Sequence, residues 1–281
     1  MSKGFVSIVL ALATGLLQLA NAEVPAIFIL GDSTADVGTN NYLPDSNITA
    51  NYPHNGVDFP FGRETGRFSN GLNTADFLAR LFGFKRSPLS FLAFNGTYGI
   101  KKRQSETEEF LSKSLFFISV GSNDIMGNYH SNYPIPKEQF IPKLAVVYEK
   151  HLRNLISVGA RRFGIIGVPP VGCCPSQRLS ANGECVKDLN DQAEAFFSTM
   201  DTLMRNLNFI DVKNACCGNG TLKAESFCTP SAKLCSNCHQ YLFWDLFHPA
   251  QAASKMVAFK VYSGEPEYVT PINFSQLADA Y

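Results

Sequence analysis

A serine, an aspartate and a histidine in this 281-residue chain could together carry out acyl transfer. Ser33 closely follows the apolar run at residues 25–30, whereas Asp245 and His248 stand three residues apart near the other terminus. A serine hydroxyl is a weak nucleophile until a base takes its proton, and an imidazole does this well when a carboxylate fixes its tautomer. The three residue types therefore predict a hydrolase in which Ser33 attacks, His248 is the base and Asp245 orients His248.

Short apolar runs predict the strands that position these residues. They cover residues 26–30, 115–120 and 163–168. Helical patterns lie between and after them, at residues 74–81, 143–158, 186–207 and 249–262. Buried strands that alternate with helices predict an α/β fold with a parallel sheet covered on both faces. Because ligands bind beyond the carboxyl ends of such strands, we expect Ser33 and Asn123 to lie on one rim of the sheet.

Asn123 is a candidate oxyanion donor, since an amide side chain can donate to a developing negative charge without changing its own charge. The alternative is that Asn123 and Asp124 form an ordinary turn after a strand. Ser33 also has an alternative, as the N-cap of a helix whose partial positive charge would favour an anionic intermediate. Asp32 and Asp36 could form a metal site with Asp124, but they lack the spacing of a cation-binding loop, so we expect no metal.

Seven separated blocks run in order from about Val24 to the C-terminus. They are Phe-Ile-Leu-Gly-Asp-Ser-Thr-Ala-Asp-Val-Gly-Thr-Asn-Asn at 28–41, Arg-Phe-Ser-Asn-Gly at 67–71, Gly-Ser-Asn-Asp at 121–124, Gly-Ala-Arg-Arg-Phe at 159–163, Val-Pro-Pro-Val-Gly-Cys-Cys-Pro at 168–175, Ala-Cys-Cys-Gly at 215–218 and Tyr-Leu-Phe-Trp-Asp-Leu-Phe-His-Pro at 241–249. Together these blocks resemble the plant GDSL esterase/lipases, a family within the SGNH hydrolases.

The resemblance implies a three-layer α/β/α fold with a mostly parallel, flavodoxin-like central sheet, in a single domain over residues 23–281. It also implies a secreted serine esterase or lipase that needs no cofactor. Ser33 would be the nucleophile, His248 the base and Asp245 its partner. The backbone amide of Ser33 and the side chain of Asn123 would form the oxyanion hole. The substrate would be a small-molecule or lipid ester.

Two passages that the family normally carries are shorter in this chain. A Gly-rich stretch would follow Gly99, but Lys-Lys-Arg-Gln stands at 101–104, and a strand-containing passage before Asp211 is reduced. The Gly-rich stretch supplies an oxyanion donor, and losing one such donor lowers turnover by about 10²–10³-fold. A catalytically impaired or silent family member is therefore the alternative, unless Gly99 supplies a substitute amide.

The N-terminus predicts a signal peptide over residues 1–22. Lys3 precedes an apolar core at 5–19, and Ala-Asn-Ala at 20–22 offers a cleavage site. An uncleaved anchor is the alternative, but the apolar stretch is short for a membrane span, which needs about 20 residues. We therefore expect a secreted, extracellular protein without a membrane span.

All eight cysteines lie between Cys173 and Cys238, and an even number in an oxidising compartment predicts disulfides, with the pairing left open. Cys235 and Cys238 resemble half of a zinc site, but the adjacent pair Cys216-Cys217 is a poor second half. A disulfide-rich adhesion module is a third alternative. Four N-glycosylation sequons fit the same compartment, at Asn47, Asn95, Asn219 and Asn273.

The charge pattern gives no support for nucleic-acid binding. The formal net charge is zero, and the basic residues are scattered apart from one compact cluster at 101–103. Such a cluster is typical of a solvated loop rather than of a polyanion site. The sequence gives no indication of the oligomeric state.

Overall fold

The structure is a computed structural model, and it describes residues 24–93, 104–191, 211–269 and 272–279. Several of the sequence predictions lie outside these ranges. They concern the signal peptide, the sequon at Asn95, the amide of Gly99, the basic cluster at 101–103 and the helical pattern beyond residue 191.

A parallel three-stranded sheet lies at the centre of the described fold. It contains β1 (Ile27–Gly31), β2 (Leu115–Ser119) and β3 (Arg162–Ile165) in the order β1-β2-β3. Within this register Ile29 is opposite Phe117, and Phe117 is opposite Gly164. The α/β class and the parallel sheet predicted from the apolar runs are confirmed. The third strand ends earlier than predicted, because the chain leaves the sheet after Ile166 donates to the carbonyl of Ile118.

Helices occupy much of the remaining described chain. They are α1 (Thr74–Leu81), α2 (Gln104–Lys113), α3 (Ser122–Tyr129), α4 (Lys137–Ser157), α5 (Pro175–Ser180), α6 (Lys187–Asn190), α7 (Gln251–Ser263) and α8 (Phe274–Asp279). Single 3₁₀ turns cover Thr39–Tyr42, Phe91–Ala93, Val171–Cys173, Thr221–Lys223 and Cys238–Gln240. Among the helices of the described ranges, none combines the length and the apolarity that a bilayer span requires.

Local contacts explain where the predicted helices begin. Helix α1 starts as predicted, because Asn73 and Asp76 form a reciprocal capping box. Helix α4 starts six residues earlier than predicted, directly after Pro136. Helix α7 starts two residues later than predicted, at Gln251, because Pro249 pairs with Phe243 in an isolated β-bridge instead of entering the helix.

The two faces of the central sheet are packed differently. On one face, Leu115 and Phe117 join a buried cluster with side chains of α1, α7 and α8, including Leu78, Ala258 and Phe274. On the other face, the rings of Phe28 and Phe163 flank the ring of Phe116, with centroid distances of 4.8 and 5.7 Å. Residues 115–118 of β2 are all buried, which explains why this strand is a continuous apolar run.

The cysteine-rich C-terminal part forms a separate scaffold of short strands. Strand β4 (Asp211–Ala215) pairs in parallel with β7 (Tyr241–Phe243), and β5 (Cys217–Gly218) pairs antiparallel with β6 (Lys233–Leu234). Disulfides are confirmed for six of the eight cysteines, and they join Cys173 to Cys185, Cys216 to Cys235 and Cys217 to Cys228. The even count predicts that all eight pair, but Cys174 and Cys238 are free thiols. Trp244 is fully buried in a cluster with Cys216, Cys217 and Cys228, and its Nε1–H donates to Asn55 Oδ1 at 3.0 Å.

Candidate active site

Ser33 lies in a turn directly after β1, at the carboxyl end of the central sheet. The backbone N–H of Asp32 donates to the carbonyl of Ser119 at 3.2 Å, which ties this turn to the end of β2. The carboxylate of Asp32 accepts from the backbone N–H and the hydroxyl of Thr34, at 3.0 and 2.7 Å. No helix begins at this turn. The alternative role of Ser33 as a helix N-cap is therefore wrong, as is the helix dipole expected at that position.

Asp245 and His248 lie on the loop between β7 and α7. Asp245 Oδ1 accepts from the backbone N–H groups of Phe247 and His248, both at 2.9 Å. The backbone N–H of Trp244 donates to the carbonyl of His248 at 2.7 Å and closes the loop. The loop therefore brings the His248 ring to the carboxylate, and Nδ1 lies 2.8 Å from both carboxylate oxygens.

The structure brings all three predicted side chains into one hydrogen-bonded line. His248 Nε2 lies 2.7 Å from Ser33 Oγ, although the two residues are 215 positions apart. Asp245 and His248 are buried, and Ser33 is half-buried. A proton on Nδ1 that is donated to Asp245 leaves Nε2 as the acceptor for the Ser33 hydroxyl. The arrangement can therefore remove the proton of that hydroxyl.

The charges around Asp245 favour its ionised form. Burial is the strongest influence and raises its pKa, but the imidazole of His248 and the hydrogen bonds from His248 and Phe247 outweigh burial and hold the pKa below its ordinary value. An ionised carboxylate keeps the imidazole in the tautomer that Ser33 needs. Burial and the charge of Asp245 raise the pKa of Cys174 to about 12, so this neighbouring thiol stays protonated at neutral pH.

Asn123 lies in the first turn of α3, which follows β2. Gly121 precedes this helix with a φ of 116°, a conformation that glycine adopts readily. The side chain of Asn123 is exposed and lines the same cavity as Ser33 and His248. The alternative that Asn123 and Asp124 form a simple turn is wrong, because both belong to the helix. The helix that begins beside the cavity is therefore α3, and its first turn carries Asn123.

A cavity of about 700 Å³ opens beside these side chains. Its volume lies within the range of about 300–1,000 Å³ that is usual for small-molecule sites. Apolar side chains form most of the wall. Those of the sheet and of helices α1 and α7 are Ile29, Leu78, Phe117, Ala253 and Val257, whereas Ile48 and Phe227 line the cavity and are themselves exposed. The cavity can therefore hold an apolar group next to the Ser33 hydroxyl.

The acidic and thiol groups considered for metal binding have other partners. Asp36 accepts from the backbone N–H groups of Gly38 and Thr39, as Asp32 does from Thr34. The sulfur atoms of Cys216, Cys235 and Cys238 lie within 4.8 Å of one another, but the first two form a disulfide. These contacts favour structural roles for all of them.

Sequence reasoning assigned no role to Phe68, which contacts the site directly. Its ring stacks on the His248 ring, with centroids 4.7 Å apart and an interplanar angle of 27°. The available signal was its place in the block at 67–71. Tyr52 was also missed. Burial and the charge of Asp245 raise the pKa of Tyr52, which lines the cavity as well.

The three described sequons differ in their surroundings. Asn47 is exposed and lines the cavity, together with the next two residues of its sequon. In contrast, Asn219 Nδ2 donates to Ser226 Oγ at 3.1 Å, and Asn273 Nδ2 donates to the carbonyl of Gly264 at 3.3 Å. Of these three side chains, only that of Asn47 is exposed, and it stands beside the cavity.

Comparison with known proteins identifies relatives across most of the chain. GDSL esterase/lipase At5g55050 of Arabidopsis thaliana is 32% identical, over 91% of this chain and 90% of the relative. Two further relatives come from the same plant. GDSL esterase/lipase At5g22810 is 30% identical over 85% of this chain and 88% of the relative. GDSL esterase/lipase LTL1 is 28% identical over 89% of this chain and 90% of the relative.

The first of these alignments also measures how much shorter this chain is. It runs over 341 positions, and because 91% of 281 residues is about 256, about 85 positions of the relative have no counterpart here. This difference agrees with the two shortened passages predicted from the sequence. Residues 27–261 match the family model described as GDSL-like Lipase/Acylhydrolase. The chain therefore belongs to the GDSL-like lipase/acylhydrolase family and is a hydrolase of the esterase/lipase kind.

Proposed function

We propose that this chain is a secreted serine hydrolase of carboxylic esters, active as a single domain over residues 23–281. The contact that carries the proposal joins His248 Nε2 to Ser33 Oγ at 2.7 Å, while Nδ1 lies 2.8 Å from Asp245. Secretion is supported by the sequence pattern of residues 1–22 and by the three disulfides, which are typical of oxidising compartments.

In the proposed reaction, Ser33 Oγ attacks the ester carbonyl carbon while His248 Nε2 takes the hydroxyl proton. The negative oxygen of the tetrahedral intermediate accepts hydrogen bonds from the backbone N–H of Ser33 and the side chain of Asn123. His248 then gives the proton to the leaving alcohol oxygen, and an acyl-enzyme remains. Water adds by the same route and releases the carboxylic acid, so no cofactor takes part.

The cavity supports a substrate with an apolar portion. Its wall is mostly apolar, and the polar residues Ser33, Asn123, Asp245 and His248 line the same cavity. A site of this kind favours a small-molecule or lipid ester whose hydrocarbon part is removed from water on binding. The names of the plant relatives, which are esterase/lipases, agree with this class of substrate.

The second candidate is a catalytically impaired or silent family member. It is favoured by the shortened passage that follows Gly99 and by the relative's residues that lack a counterpart here. If a third oxyanion donor is missing, the expected cost is about 10²–10³-fold in turnover, which leaves activity low but measurable.

Hydrolysis of short p-nitrophenyl esters by protein from a eukaryotic secretory host separates the two candidates. We expect the parent to release p-nitrophenol and Ser33→Ala to do so only at the background rate. Ser157→Ala, which changes an exposed serine at the end of α4, should match the parent. A parent above the background rate that is matched by Ser33→Ala would refute the proposed mechanism. A folded parent that is itself at the background rate would favour the silent member.

A further inference from the structure

The imidazole of His248 contacts two aromatic rings. The ring of Phe68 stacks on its face, at 4.7 Å between centroids and 27° between planes. The ring of Phe247 meets it edge-on, at 6.2 Å and 83°. Both distances fall within the range over which aromatic rings attract each other. Phe68 thus contacts the ring that joins Ser33 to Asp245.

The backbone on either side of Phe68 is anchored by buried hydrogen bonds. Arg67 is buried, and its guanidinium donates to both carboxylate oxygens of Asp76 in α1, at 2.7 and 2.8 Å. It also donates to Thr65 Oγ1 at 3.0 Å. On the other side, the carbonyl of Ser69 accepts from the backbone N–H of Gly56 at 2.9 Å. The segment that carries Phe68 is therefore hydrogen-bonded on both sides of this residue.

The same segment is joined to the helix that follows His248. The backbone N–H of Gln251 donates to Asn70 Oδ1 at 2.8 Å, and Gln251 Oε1 accepts from the backbone N–H of Leu72 at 2.6 Å. A side chain at Gly71 would come within 2.3 Å of Gln251 Oε1, so this contact needs glycine. Because Gln251 is three residues after His248, these bonds fix the position of Phe68 relative to the imidazole.

We infer that Phe68 is a positioning residue for His248, an inference that rests on the proposed function. The Phe68 ring restricts rotation of the imidazole, so that Nδ1 faces Asp245 while Nε2 faces Ser33. Its π face also favours the imidazolium that forms when Nε2 accepts the Ser33 proton, since a cation over an aromatic face is stabilised. Phe68 thus influences proton transfer through its contact with the His248 ring and not through a contact with the ester bond.

The kinetic test compares variants at Phe68 with a phenylalanine on the same loop. Phe68→Leu and Phe68→Met remove the aromatic face and keep apolar bulk, whereas Phe68→Tyr keeps the face. We expect the first two to lower kcat by about 5- to 30-fold with KM changed less than about twofold, and Phe68→Tyr to stay near the parent. Phe61→Leu, which changes a fully exposed ring, should have no effect. A rise in KM alone would mean that Phe68 only lines the cavity, and would overturn the inference.

A second readout does not depend on turnover. A proton on Nδ1 that is hydrogen-bonded to Asp245 gives a downfield ¹H NMR resonance, which is assigned by its loss in His248→Gln. We expect this resonance to be sharp in the parent and in Phe68→Tyr, and broadened or lost in folded Phe68→Leu and Phe68→Met. If it is unchanged in the two variants without a ring, the inference fails. An inactive parent that shows the expected pattern would refute the proposed function but not the role of Phe68.

Discussion

The carboxylate of Asp245 accepts three hydrogen bonds from within its own loop: two from the backbone N–H groups of Phe247 and His248, and one from Nδ1 of the His248 ring. Burial alone would favour the neutral acid, since a charge in a poorly solvated site is costly. The donors outweigh that effect and hold the pKa of Asp245 below its ordinary value. The three-residue spacing of Asp245 and His248 therefore provides both the hydrogen bond between their side chains and the ionised state of the carboxylate.

This lowered pKa predicts a pH-dependent contribution of Asp245 to stability. The ionised form is preferred in the folded state, so the contribution is fully present above the ordinary value of about 3.9 and is lost as pH falls through the lower folded value. We expect the difference in free energy of unfolding between the parent and Asp245→Asn to shrink between about pH 5 and more acidic conditions. Urea unfolding of both proteins at several pH values measures this difference. A difference that stays constant as the pH falls would contradict the lowered pKa of Asp245.

Contacts between elements decide where some of them begin and end, and local sequence patterns do not reveal these contacts. The cap of α1 was predictable because Asn73 and Asp76 are neighbours in sequence. The turn at Ser33 and the late start of α7 were not predictable. They depend on the bond from Asp32 to Ser119 and on the pairing of Pro249 with Phe243.

The ion pair between Arg67 and Asp76 joins the block at 67–71 to helix α1, and its loss should be costly. Both side chains are buried, so Arg67→Ala leaves a carboxylate without its charged partner. We expect a loss of about 3–5 kcal/mol in the free energy of unfolding. The matched control is Arg153→Ala, which breaks an exposed pair with Glu149 and should cost about 0.5 kcal/mol or less. Equal losses in the two variants, measured by urea unfolding, would contradict the role given to Arg67.

The disulfide pattern predicts two unreactive thiols. Burial raises the pKa of Cys174 to about 12 and that of Cys238 to about 11, and thiol reagents react with the thiolate. Ellman's reagent should therefore modify neither thiol in the native protein and both after unfolding. Peptide mapping without reduction should recover the three disulfides of the structure. A disulfide that contains Cys238, whose sulfur lies 3.8 Å from that of Cys235, would show that the pairing differs.

At the scale of the whole molecule, the shortened passages leave the sheet and the candidate site in place. Both passages precede strands of the described fold, β2 and β4. Strands β1 and β3 are the outer strands of the described three-stranded sheet, and Leu30 and Ile165 are 41% and 49% exposed there. The parallel register between β1 and β2 is intact, and this register holds the Ser33 turn beside the end of β2.

The positions of the sequons lead to a prediction for the secreted protein. The side-chain amides of Asn219 and Asn273 are hydrogen-bonded, whereas Asn47 is exposed beside the cavity. We therefore expect mass spectrometry to find a glycan at Asn47 and little at the other two positions. Asn47→Gln should accordingly remove most of the glycan mass that these three positions carry. Occupancy of Asn273 with an empty Asn47 would contradict this order.

Sequence reasoning found the parts of the site that depend on residue type, and it could not find those that depend on packing. Ser33, Asp245 and His248 are recognisable because their chemistry and spacing are unusual. Phe68 is one of 23 phenylalanines, and only its distance to His248 separates it from core residues. The cavity is likewise a property of several elements together, since its wall combines side chains of β1, β2, α1 and α7.

Covalent labelling with a serine-directed fluorophosphonate tests whether Ser33 is a nucleophile that His248 activates. The probe reacts with a serine that a neighbouring base activates, and peptide mapping then identifies the modified residue. We predict one labelled site, Ser33, with labelling lost in Ser33→Ala and strongly slowed in His248→Ala. A folded parent that stays unlabelled at Ser33, or His248→Ala labelled as fast as the parent, would contradict it.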